Sequence, residues 1–71
     1  MTKYLIIIEE SNTGFSAYSP DLPGCTSSGK TPGQTENNMR EAIQFHFEGL
    51  KEEGLKIPEP VTRSSYIEIA A

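Results

Sequence analysis

Few residues in this chain have the types that catalysis requires. The 71 residues include one histidine, His46, and one cysteine, Cys25. His46 falls on an apolar stripe with Ala42, Ile43 and Leu50. There an imidazole packs at the edge of a core more readily than it serves as a base. Cys25 follows Gly24 with no base nearby in sequence, and a small thiol in such a place packs like an apolar group. The carboxylates suggest sharper chemistry, because a two-metal nuclease needs several of them converging on one metal pair. Glu9 and Glu10 close the first apolar run, Asp21 sits in a proline loop and Glu68 lies near the C-terminus. Glu9 and Glu68 approach only if their segments pair as strands. A Glu-Glu step beside a turn is otherwise a solvated strand end. One Cys and one His fall short of the four ligands usual for structural zinc. No phosphate loop, nucleotide fingerprint or nucleophile elbow is present, so no metal or cofactor is expected.

Whatever these residues do, a rigid connection must position them. Ser19 to Cys25 reads S-P-D-L-P-G-C. Pro20 and Pro23 each fix φ and remove a backbone donor. Ser19 and Leu22, each preceding a proline, are pushed toward extended geometry. Gly24 tolerates a positive φ that a side chain would oppose. The stretch is neither helix nor central strand. It is a stiff link between two strands, with Leu22 as its one large apolar group. Two readings stay open: a structural turn whose Leu22 plugs the core, or a pre-shaped surface that loses little entropy when a partner binds.

The elements follow from the pattern on either side. In Lys3 to Glu10, Tyr4, Ile6 and Ile8 alternate with Leu5 and Ile7, which predicts a strand apolar on both faces. Ser11-Asn12-Thr13-Gly14 is a turn, and Phe15 to Ser19 is a second strand that forms a hairpin with the first. Cys25 to Gly29 is a short polar third strand suited to a sheet edge. Thr31 as N-cap, Pro32 at the first helical position and Gln34 in a T-x-x-Q capping box start a helix. Met39, Ala42, Ile43, His46, Phe47 and Leu50 form its apolar stripe. Glu36, Arg40, Gln44, Glu48 and Lys51 fill its other side, and Gly54 ends it. Lys56 to Pro60 is a stiff extended link. Ser64 to Ala70 alternates and predicts a fourth strand. The order is β-β-β-α-β, an α+β fold with one helix on one face of the sheet. A right-handed crossover places the last strand parallel to the first.

Tyr18 to Gly29, Y-S-P-D-L-P-G-C-T-S-S-G, resembles the central signature of the HicB-type antitoxin family and its small HicB-like relatives. The resemblance extends upstream to K-Y-L-I-I-I-E-E and T-G-F-S-A-Y. Downstream it takes in R-E-A-I-Q-F-H-F-E-G-L and I-P-E-P, so that it runs from Lys3 to Pro60 in one order. It implies a truncated ribonuclease-H-like sheet that has lost nuclease function. It implies an antitoxin of a type II toxin-antitoxin pair, which binds and occludes a small basic HicA-like toxin that cleaves messenger RNA. No catalytic residue is then needed. The expected contact is the proline loop, Pro20, Asp21, Leu22 and Pro23, together with Glu36, Arg40 and Glu48 of the helix. The helix start P-G-Q-T-E-N-N-M departs from the acidic, Ala- and Leu-containing start usual in the family; if that turn contacts the toxin in relatives, a different partner is expected here. Family members commonly add a C-terminal DNA-binding domain, and residues 1–71 read as one HicB-like domain without it. The alternative is a stand-alone HicB-like structural or regulatory oligomer that has no toxin.

Size and charge agree with a protein-binding role. A chain this short buries only about 60% of its unfolded surface, and one cysteine allows no internal disulfide. Oligomerisation, to a dimer or tetramer, is the expected source of extra burial. The formal net charge is −4, and the six Lys and Arg residues are scattered. Neutralising phosphates takes clustered basic residues, so direct nucleic-acid binding is not expected. An acidic surface suits a basic protein partner, and equally it keeps a small protein soluble with no partner at all. The apolar run Leu5 to Ile8 is too short for a signal sequence or a membrane span, and a cytoplasmic location is expected.

Overall fold

A computed structural model describes residues 2–71. Three strands, β1 (Ile7–Ser11), β2 (Gly14–Tyr18) and β3 (Thr26–Gly29), precede one helix, α1 (Pro32–Glu52). The strands form an antiparallel sheet in the order β1-β2-β3. β1 and β2 make the predicted hairpin, with Ile8 opposite Ala17 and Glu9 opposite Ser16. The polar strand lies at an edge as expected, with Ser27 opposite Ala17. β1 is shorter than the predicted Lys3 to Glu10, because residues 3–6 run past the end of β2 and lack a ladder partner. Ser19 substitutes there: its Oγ donates to the Leu5 carbonyl at 2.8 Å.

The helix begins where its capping residues predict. The Gln34 backbone N–H donates to Thr31 Oγ1 at 3.0 Å. The reciprocal half of the capping box is displaced by one residue, since Gln34 Oε1 accepts from the Lys30 N–H at 2.7 Å rather than from Thr31. The helix ends in a Schellman arrangement. Gly54 has φ +71°, its N–H donates to the Lys51 carbonyl, and the Leu55 N–H donates to that of Leu50.

α1 packs close to β3. A Cβ on Gly29 would lie 2.7 Å from Thr35 Oγ1 and 2.9 Å from the Thr35 backbone N, so only glycine lets the strand and helix meet there. Thr35 is fully buried, and its hydroxyl donates back to the Thr31 carbonyl at 2.8 Å. Asn38 Nδ2 donates to the Ser28 carbonyl at 2.8 Å, tying the strand edge to the helix. The core between the layers is thin. Among the described residues, Ala17, Leu22, Cys25 and Met39 are its buried apolar members, with Tyr4, Ile6, Ile8, Ala42, Ile43 and Phe47 packed around them. The Tyr4 and Phe47 rings meet edge to face at 5.4 Å between centroids.

The proline loop is a tandem turn. The Leu22 N–H donates to the Ser19 carbonyl and the Cys25 N–H to the Leu22 carbonyl, each at 3.1 Å. Pro20 and Pro23 each occupy the second position of a turn, and Gly24 at φ +82° completes a type II geometry. The two turns drive Leu22 inward to 1% exposure.

The fourth strand predicted over Ser64 to Ala70 is not in the sheet of this chain. Residues 55–71 belong to no helix or strand. They are pinned at two points instead. Tyr4 Oη donates to the Pro58 carbonyl at 2.6 Å. Asp21 then takes the next contacts: Oδ2 accepts the Val61 and Thr62 N–H groups, each at 3.2 Å, and Oδ1 accepts the Thr62 hydroxyl at 2.7 Å. The Thr62 hydroxyl, and after it the Thr62 and Val61 N–H groups, hold the Asp21 carboxyl below its ordinary value of 3.8, outweighing the upward push of desolvation.

Two outcomes follow from this packing. Leu22→Ala should cost about 2–5 kcal/mol, the range for a buried Leu that leaves a cavity, seen as a lower urea midpoint; an unchanged midpoint would mean that Leu22 is not the plug. Because the folded pKa of Asp21 is depressed, its contact holds above the ordinary carboxylate range and is lost as pH falls through the folded value. The Val61 and Thr62 amide signals should therefore titrate together at a midpoint below 3.8 in NMR spectra, and Asp21→Ala should abolish that titration.

Candidate functional site: a helix ridge between two grooves

The chemistry-bearing residues do not converge. Glu9 and Glu10 are exposed, the first in β1 opposite Ser16 and the second opposite Phe15. Asp21 is engaged with Val61 and Thr62, and Glu68 lies on the exposed C-terminal segment. Among the described residues, no three His, Cys, Asp or Glu side chains are grouped as a metal ion would require. Cys25 is buried at 4% exposure, and desolvation pushes its thiol up, away from the reactive thiolate. His46 is half-buried beside Cys25 and Leu50, at the core edge where the stripe placed it.

The residues expected at a partner surface are distributed over the molecule. Pro20 and Pro23 are exposed on the loop. Leu22, expected among the contact residues, is instead buried beneath the tandem turn. Asp21 faces the chain's own segment at Val61 and Thr62. Glu36, Arg40 and Glu48 are exposed on α1, but they do not share one patch. Glu36 and Arg40 border a groove floored by Met39, Ile43 and Phe47 of the helix and by Tyr4 and Ile6 beside β1. Glu48 lies outside it.

A second groove runs along the other flank of α1, between Gly24 and Cys25 of the loop and Ala42, His46 and Gly49 of the helix. Phe45 stands at its rim and is 78% exposed. Glu41, Phe45, Glu48 and Glu52 recur at helical spacing, and all four are exposed. They form a ridge in which one aromatic ring is flanked by carboxylates. Phe45 does not belong to the apolar stripe of α1. That mismatch is the signal: a large aromatic group on a polar face has no core to enter. Exposed aromatics of this kind anchor protein interfaces, and the carboxylates around it favour a basic partner. Among the described residues, no helix is long and apolar enough to cross a membrane.

Comparison with known proteins places this arrangement. Residues 4–70 match the family described as HicB_like antitoxin of bacterial toxin-antitoxin system. An uncharacterized 14.9 kDa protein of Haemophilus phage HP1 is 41% identical over 64 residues, which is 90% of this chain and 48% of that protein. The chain thus spans about half the length of the phage relative. A UPF0150 protein of Thermoplasma acidophilum is 40% identical over 57 residues, 79% of this chain and 83% of that one. Among solved structures, a chain of a HicA3 and HicB3 toxin-antitoxin complex aligns with TM-score 0.73 and 37% identity, over 84% of this chain and 70% of its own. The crystal structure of antitoxin HicB3 aligns with TM-score 0.69 and 38% identity, over 80% of this chain and 42% of its own. With the tandem proline turn, the three-stranded sheet and the single helix all in the matched span, this chain belongs to the HicB-like antitoxin family.

Proposed function

We propose that this chain is the antitoxin of a type II pair, binding and covering a small basic HicA-like toxin that cleaves messenger RNA. The observation that carries this reading is the alignment with a chain of a HicA3 and HicB3 complex at TM-score 0.73 and 37% identity. The mechanism is occlusion. An acidic ridge meets the basic surface that the toxin would use for RNA, and Phe45 supplies an apolar anchor within it. Pro20 and Pro23, stiffened by their turns, extend the contact at little entropic cost. Glu48 belongs to this face, while Glu36 and Arg40 take part only where the toxin reaches across the helix. The role is non-enzymatic, since occlusion moves no proton and breaks no bond. We read residues 1–71 as one HicB-like domain acting in the cytoplasm through protein contacts, with no DNA-binding domain in this span. The ribonuclease-H-like order is completed when residues 64–70 pair as a fourth strand.

A stand-alone HicB-like oligomer without a toxin is the second reading. One observation favours it: the archaeal relative is covered over 83% of its length, which leaves little room there for a further domain.

The test is a search beside the gene for a small basic reading frame, and co-expression of this chain with any such frame. That frame alone should arrest growth, and this chain should relieve the arrest. Phe45→Asp should abolish relief, and Phe45→Ala should weaken binding about ten-fold or more, the scale of an interfacial hot spot. Both variants should keep the wild-type circular dichroism spectrum, because Phe45 is outside the core. Absence of such a frame, or arrest that this chain does not relieve, would favour the stand-alone oligomer.

A further inference from the structure

Gly49 is a glycine that this fold does not require. It lies inside α1, and glycine is the poorest helix former after proline. Its φ is not positive, so alanine would suit the backbone better. A Cβ built there would meet no atom within 4 Å outside its own stretch of helix, so no close approach excludes a side chain either. Gly33 shares this freedom, but it sits in the first turn of α1 and lines neither groove. Gly49 lines the groove between α1 and the end of the proline loop.

That groove is open because side chains are missing on both of its walls. Gly24 lines it from the loop, and a Cβ there would also stand in open space. A helical side chain leans back over the turn that precedes it. At position 49 it would lie toward Phe45 and His46. Its absence leaves the Phe45 ring bare on this flank and opens the way to Cys25, Ala42 and Leu50. The groove has a volume of about 440 Å³, comparable with one helical turn about 10 Å across. It takes a side chain with its adjoining backbone rather than a whole element.

The charge around the groove says what carries that side chain. Among the described residues, no Lys or Arg lines it, whereas Lys3 and Arg40 stand at the other groove. Glu53 is on its wall, and Glu41, Glu48 and Glu52 run exposed along the helix beside Phe45. An apolar floor within a carboxylate rim fits an apolar group carried between basic residues.

We propose that this groove receives one large apolar side chain, flanked by Lys or Arg on a basic protein, and that Gly49 keeps the seat open although it weakens the helix. The inference rests on the reading of this flank as the face for a basic partner, and it adds the group that the face receives. Gly49 is then a specificity residue, since a side chain at 49 would stand where the partner's belongs.

The test needs no toxin. Two synthetic peptides, Lys-Lys-Leu-Lys-Lys and Lys-Lys-Ala-Lys-Lys, are titrated into the ¹⁵N-labelled chain and followed by NMR. The leucine peptide should shift the amide signals of Gly24, Thr26, His46 and Gly49 together, and should bind about ten-fold more tightly than the alanine peptide. Gly49→Leu should weaken the leucine peptide about ten-fold or more with a wild-type circular dichroism spectrum. Gly49→Ala should weaken it less and raise the urea midpoint of the free chain, where a glycine that the fold required would lower it. Equal affinities for the two peptides, shifts centred on the Lys3 and Arg40 side of the helix, or a Gly49→Leu chain that binds as tightly as wild type would each overturn the proposal. So would a lowered midpoint for Gly49→Ala. If Gly49→Leu fails to fold, Gly49→Ala and the wild-type mapping decide. Leucine-dependent binding by a chain that relieves no toxin would leave the groove standing and remove the antitoxin role. A toxin neutralised equally by wild type and Gly49→Leu would do the reverse.

Discussion

The burial of Leu22 is the contact on which the rest of this structure depends. Two prolines and Gly24 shape a tandem turn that has one large apolar side chain, and the turn drives it to 1% exposure. With Met39 it supplies most of the fully buried apolar volume, because the other buried members, Ala17 and Cys25, are small. Leu22 is thus the point at which loop, sheet and helix are locked together. A core this thin is what a chain of 71 residues can build. It leaves Phe45, Tyr66, Ile67 and Ile69 in water.

Much of this was legible in the sequence, for identifiable reasons. Thr31, Pro32 and Gly54 mark the ends of α1 because capping is local chemistry, and the helix runs from Pro32 to Glu52. The hairpin and the edge position of the third strand follow from turn residues and polarity. The two readings of the proline loop could not be separated, since a buried Leu and a presented Leu look alike in one dimension; Leu22 proves to be the plug. Ser64 to Ala70 reads as a strand because alternation is local, but whether a strand pairs, and with which chain, depends on contacts remote in sequence. Asp21 is the remote contact that matters here: it binds residues 40 and 41 positions away. No periodicity reveals such a partner. Nothing in the sequence marks Thr35 as a core residue, since burial of its hydroxyl depends on a hydrogen bond within its own helix.

The two flanks of α1 carry different chemistry, and this division gives the molecule its functional logic. Toward β1 the surface is an apolar groove beside an open strand edge, a geometry that takes an added strand. On the outer flank, Phe45 stands among Glu41, Glu48 and Glu52, which suits a basic protein. An acidic chain with scattered Lys and Arg is poorly built to compete for RNA. Its acidity suits a basic protein surface instead. Neither flank needs a reactive group, and Cys25 and His46 are accordingly part of the packing around the second groove.

The most direct measurement of the central claim is a titration of this chain into a purified HicA-like ribonuclease, if its operon encodes one, while messenger RNA cleavage is followed. The occlusion account predicts that cleavage falls linearly to nothing at a fixed stoichiometry near one chain per toxin. It also predicts that the affinity weakens as salt screens the acidic ridge. Undiminished cleavage in the presence of a large excess of folded chain would contradict it.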